Sequence, residues 1–128
     1  MPYELSFTKR VPLLDREEYI NDCCVGGDKV AEHLLPVLRK QYGDDLNPVQ
    51  EDWGWFIWFQ AGGVKLAVDI FTDDPDAGEF RIHLTSRKKK LLFYNAVDTP
   101  ELEQLRALVT SELQAWIGGP VKVDRIDD

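Results

Sequence analysis

Apolar and polar residues alternate through Tyr3–Thr8, with Tyr3, Leu5 and Phe7 set against Glu4, Ser6 and Thr8. A two-residue period of this kind predicts a half-buried strand, which Pro12 keeps from running on because proline donates no ladder hydrogen bond. Asp15–Glu18 carries the spacing of a capping residue and a carboxylate three positions later, and predicts a short helix or turn. From Asp28, read as an N-cap, the period changes. Val30, Leu34, Leu35, Val37, Leu38 and Tyr42 make one broad helical face, Gly43 stands at C′, and Pro36 inside the pattern predicts a kink or a break.

Strand periods then return. Trp53–Gln60 and Val64–Phe71 flank Ala61-Gly62-Gly63, a hairpin signature. Thr72–Gly78 has the composition of a loop, and Glu79–Ser86 alternates Phe80, Ile82 and Leu84 with Arg81, His83 and Thr85. Arg87–Lys90 reads as a basic turn, and Leu91–Tyr94 as a further short strand or a buried crossing. Thr99-Pro100 is a strong helix start, and Leu102, Leu105, Val109, Leu113 and Trp116 recur at helical spacing until Gly118-Gly119-Pro120. Val121–Ile126 reads as a last edge strand. The order β-α-β-β-β-(β)-α-β predicts an α+β two-layer sandwich: a mainly antiparallel sheet of five or six strands packed by two helices, one domain over residues 1–128.

Within that pattern, Glu51–Gln60 is the segment that does not alternate. It holds three of the four tryptophans, and it is apolar on both strand faces. Strand parity sends Trp53, Trp55, Ile57 and Phe59 one way and Gly54, Phe56 and Trp58 the other. A central strand covered on both sides has this composition. With helices on one side only, one aromatic set is left uncovered, the usual mark of a binding surface. Trp53, Trp55, Phe56 and Trp58 are therefore the candidate interaction residues. Gly54 between two tryptophans leaves room for another backbone or a ligand.

Composition narrows the partners. The 128 residues carry a formal charge of −8, spread along the chain and not gathered in a tail. Nucleic acid and anionic membrane need clustered Lys and Arg, so both are disfavoured, while a basic protein is compatible. No apolar run approaches the ~20 residues of a membrane span, and Met1–Arg10 lacks the pattern of a secretory leader. The only cysteines, Cys23 and Cys24, are adjacent, too close for an unstrained bridge. The expected compartment is the reducing cytoplasm.

Candidate chemistry is sparse. Cys24, His33, Asp69 and His83 are the residues a small pocket between sheet and helices would draw on, and Asp69, an acid in an apolar run, is expected to point to solvent. No metal-ligand spacing is present, and no cofactor is expected; Asp73–Glu79 resembles a calcium loop only in composition. The Glu51-Asp52-Trp53-Gly54-Trp55 start of an aromatic strand, followed by Gly-Gly, resembles small uncharacterised bacterial proteins, some of them similar to immunity proteins. That resemblance covers residues 51–71 and implies no catalytic residue. The reading favours a protein-binding module, immunity-like, that meets a basic partner. A small enzyme or ligand-binding protein stays open as the alternative, and a homodimer that buries the aromatic face as a third arrangement.

Overall fold

In the computed structural model, residues 2–90 and 93–126 are described. The chain forms β1 (Tyr3–Thr8), α1 (Gly27–Tyr42), β2 (Val49–Glu51), β3 (Gly54–Ala61), β4 (Val64–Asp74), β5 (Glu79–Lys90), β6 (Phe93–Ala96), α2 (Pro100–Ile117) and β7 (Lys122–Arg125), with single 3₁₀ turns at Arg16–Glu18 and Asp22–Cys24. Every strand pair is antiparallel, in the order β2-β3-β4-β5-β1-β7. One side of the long strand β5 is divided. Its first half pairs with β1 through Tyr3↔Leu84 to Thr8↔Glu79, and its last four residues pair with β6. The architecture is the α+β sandwich that the alternation predicts.

Both helices lie on one face of the sheet. Leu5, Ile57, Leu66, Val68, Ile70, Ile82 and Leu84 point into that layer, where they meet Val30, Leu34 and Leu38 of α1 and Leu105, Val109 and Leu113 of α2, all fully buried. Each such side chain is worth about 1.5–3 kcal/mol when removed from water, which makes this layer the source of the fold's stability.

Several expectations are corrected by pairing. Arg87–Lys90 is not a turn: these residues continue β5, held by β4 through Arg87↔Lys65 and Lys88↔Val64 and by β6 on the other side. Arg87 and Lys88 are paired on both sides and Lys89 and Lys90 by β6 alone, while the side chains of Arg87, Lys88 and Lys89 are exposed. β4 likewise runs on to Asp74, shortening the expected loop, and Leu91 and Leu92 of the Leu91–Tyr94 segment lie outside the described residues. β2 has no signal in the sequence, because Val-Gln-Glu carries no apolar period. The turn at Gly62 and Gly63, with φ of 58° and 82°, is the two-residue hairpin that Gly-Gly favours.

α1 starts two residues earlier than its sequence suggests, at Gly27 with Gly26 in place of Asp28 as the cap. Asp28 is therefore not the N-cap. It sits buried in the first turn, where it accepts a hydrogen bond from the Tyr19 hydroxyl at 2.8 Å. Pro36 does not break the helix, which continues to Tyr42; its ring is exposed to solvent. α2 begins as expected, the Thr99 hydroxyl accepting from the Leu102 N–H at 3.1 Å.

Candidate functional surface

The face of the sheet opposite the helices has no covering layer among the described residues. Strand parity places Phe56, Trp58 and Gln60 of β3 there, with Lys65, Ala67, Asp69 and Phe71 of β4, Arg81, His83 and Thr85 of β5, and Glu4 and Ser6 of β1. Four of these strands meet along a single row, Phe56↔Asp69↔His83↔Glu4.

Trp53 also belongs to this face, although its parity in the sequence assigns it to the other. It precedes β3, in the tight turn from β2, and the turn breaks the strand alternation. Its ring lies 5.3 Å from Phe71 and 6.0 Å from Phe56, and Phe56 lies 4.1 Å from Trp58, centroid to centroid. The result is a continuous line of four aromatic rings, Phe71–Trp53–Phe56–Trp58, in which Trp58 is 43% exposed. Phe71 is the member that sequence reasoning missed. The signal was available, since Phe71 follows Lys65, Ala67 and Asp69 at two-residue spacing on the polar face of β4.

Trp55 is the member that does not belong. It points under the start of α1, where its indole N–H donates to the Cys24 carbonyl at 2.8 Å. A Cβ on Gly27 would lie 2.7 Å from the Trp55 ring, so the glycine is what lets the helix settle there. The gap beside Gly54 is likewise filled from within the chain: a Cβ there would be driven into the Ile70 carbonyl oxygen.

Polar groups tie the aromatic line to the strands. The Trp58 indole N–H donates to Asp69 Oδ1 at 2.8 Å, and Lys65 Nζ stands 4.9 Å from the Trp58 ring centre. Asp69 is on the open face, as its alternation predicts, but it is half-buried and not freely solvated. Burial pushes its carboxyl above the usual range, with the Trp58 hydrogen bond and nearby His83 and Arg87 acting the other way. Glu4 accepts from Arg81 at 3.1 Å and lies 3.0 Å from His83 Nε2. The His83 contact above all, with Arg81, holds the Glu4 carboxyl below its usual range. Arg81 also reaches Asp73 at 2.9 Å and lies 5.2 Å from the Phe71 ring.

The four pocket candidates do not converge. Asp69 and His83 are cross-strand neighbours on the open face. Cys24 is buried behind the sheet, its thiol 2.8 Å from the Glu51 carbonyl oxygen and held protonated to higher pH by burial. His33 stacks on Trp116 of α2 at 4.2 Å, with Nε2 3.2 Å from Glu112 but off the line of a hydrogen bond. The layer between sheet and helices is packed by buried apolar side chains, and the four residues lie in separate parts of the fold. Among the described residues, no group of three or more His, Cys, Asp and Glu is placed to hold a metal. The Asp73–Glu79 segment is a turn in which Asp74 accepts the N–H groups of Asp76 and Ala77 at 3.1 Å.

The ends of the open face differ in charge. The turns β2–β3 and β4–β5 bring Glu51, Asp52, Asp74 and Asp76 to the Trp53 end. The acidic segment around Asp22 is fastened to the same end: Gln50 accepts from the Ile20 N–H at 2.8 Å, the Asn21 amide donates to the Asp52 carbonyl, and Arg16 lies 3.5 Å from Asp76. At the hairpin end, Lys65 and Arg87 face each other across the strands.

Comparison of the chain with known protein families, with curated proteins and with solved structures finds no match. No helix among the described residues is long and apolar enough to cross a membrane.

Proposed function

We propose that this protein is a non-enzymatic protein-binding module whose partner is a basic protein, in the manner of an immunity protein that covers its target. The observation that carries the reading is the line Phe71–Trp53–Phe56–Trp58 on a sheet face without a covering layer among the described residues, with carboxylates gathered beside Trp53. Aromatic side chains give large contact area at low entropic cost and supply most interface hot spots. Exposed tryptophan faces attract cations, and Glu51 and Asp52 beside Trp53 add opposite charge for lysine or arginine. The net charge of −8 steers such a partner toward the chain from a distance.

The test is co-purification from the native host, with mass spectrometry of what is bound. A basic protein retained by the unaltered chain and lost with Trp53→Ala or Trp58→Ala is the expected result. The affinity loss for each substitution is roughly 30-fold, the effect of a ~2 kcal/mol hot spot. An acidic partner, or a partner whose binding neither substitution weakens, would overturn the reading.

A further inference from the structure

The open face has an open edge beside it. β3 spans eight residues, but β2 pairs only with Gly54–Phe56. Along 57–61 the inner side of β3 is taken by β4, as far as Ala61↔Val64, and the outer side has no strand partner among the described residues. In an antiparallel ladder alternate residues turn their N–H and C=O groups outward, so this margin presents unpaired backbone donors and acceptors.

The neighbouring chain does not close the gap. The link from α1 to β2 makes no backbone hydrogen bond to 57–61 among the described residues. Tyr42, Asp45, Leu46 and Asn47 form one wall of a groove whose other wall is Trp58, Phe59 and Gln60, and the two walls meet at its floor, where the Tyr42 and Phe59 rings lie 4.5 Å apart. The groove measures about 400 Å³. A strand added there would lie in line with β2, at the ~4.8 Å spacing of a sheet.

The opposite margin of the sheet is protected in the ways edges usually are. β7 follows Pro120, is only four residues long, and carries Lys122 and Arg125. The margin from Ile57 to Ala61 has neither proline nor lysine. Asp45 lines the groove itself and Glu51 stands at its β2 end, opposite Gly54. A second copy of the chain would bring a further −8 and set its own Asp45 against these carboxylates, whereas a basic segment neutralises them.

We propose that the partner binds by strand addition: an extended segment rich in Lys and Arg fills the groove and pairs with the outer edge of 57–61, beside Trp58. This rests on the basic-partner reading above and adds the backbone pairing that orders the contact.

The experiment measures amide hydrogen exchange on the full chain with three synthetic peptides, and reads Trp58 as the difference in tryptophan fluorescence between the unaltered chain and Trp58→Phe. The first alternates Val with Lys and Arg; the second has the same sequence with alternate backbone nitrogens methylated; the third replaces Lys and Arg by Glu. Expected is slowing of the outward-facing amides within 57–61 by roughly tenfold with the first peptide alone. Equal binding of the methylated peptide would overturn strand addition and leave the basic-partner reading standing. Equal binding of the Glu peptide would overturn the basic partner. Absence of binding by all three at millimolar peptide would overturn the proposal. Protection of 57–61 in the chain alone, rising with concentration together with dimer mass, would identify a second copy as the occupant and overturn it too.

Discussion

The two faces of the sheet come from the same strands and obey opposite rules. On the helix side of β4, Val64, Leu66, Val68 and Ile70 are aliphatic and almost wholly buried. On the other side of the same strand, Lys65, Ala67, Asp69 and Phe71 are half-exposed and tied to neighbours by ring contacts and charge. The first face is organised by close packing, where any lost volume is felt. The second is organised by shape at a boundary with water, where a large ring is retained without a layer to cover it. Its partly exposed contacts contribute less to stability than the buried aliphatic layer does.

Substitutions can break this contrast most sharply on the packed side. Leu66→Ala should lower unfolding free energy by about 2–5 kcal/mol, because Leu66 is fully buried and its cavity cannot collapse. Denaturant titration reads this directly. Gly54→Ala should cost about 1–3 kcal/mol, since φ is 153° and the new methyl meets the Ile70 carbonyl, and it should loosen the β2–β3 turn that orients Trp53. Trp58→Ala should cost less than about 1 kcal/mol, as expected for a substitution away from the core. A loss for Trp58→Ala as large as that for Leu66→Ala would show that the open face is part of the core and would end the contrast.

The smallest effect is on the pH dependence, and its sign distinguishes Asp69 from Glu4. The folded-state pKa of Asp69 is raised, so its contribution to stability is present below the unfolded value and lost as pH rises through the folded value. Glu4 is lowered, so its contribution is present above the unfolded value and lost as pH falls through the folded one. Asp69→Asn should therefore steepen the rise of stability from acid to neutral pH, and Glu4→Gln should flatten it. Thermal unfolding across that range measures both, and slopes of the reverse order would refute the assignment of burial and ion pairing to the two carboxylates.

Much of the fold is legible in local patterns because those patterns have local causes. The alternation in Tyr3–Thr8, Val64–Ile70 and Phe80–Leu84 follows from one buried face, and Thr99-Pro100 announces α2 by cap chemistry alone. Where the structure departs from these patterns, the cause is a partner distant in sequence. Arg87–Lys90 became strand because β4 and β6 pair with it, and Asp28 lost its cap role because Tyr19 supplies a hydroxyl to the buried carboxylate. The site was half legible. Phe56 and Trp58 were placed correctly by parity, but Trp53 joined them only because a turn reset the alternation, and Trp55 left because α1 settles over it at Gly27.

What the sequence by itself determined is the two-layer architecture and the existence of one aromatic strand segment among residues 51–60. Both follow from periodicity, which a single strand or helix expresses without knowledge of its neighbours. Only the tertiary structure decided which tryptophans share a face, and that among the described residues this face has no covering layer and half of β3 has no strand partner beyond the end of β2. Those properties depend on where turns bring distant segments, and a backbone hydrogen bond carries no mark of its partner in the residue that makes it.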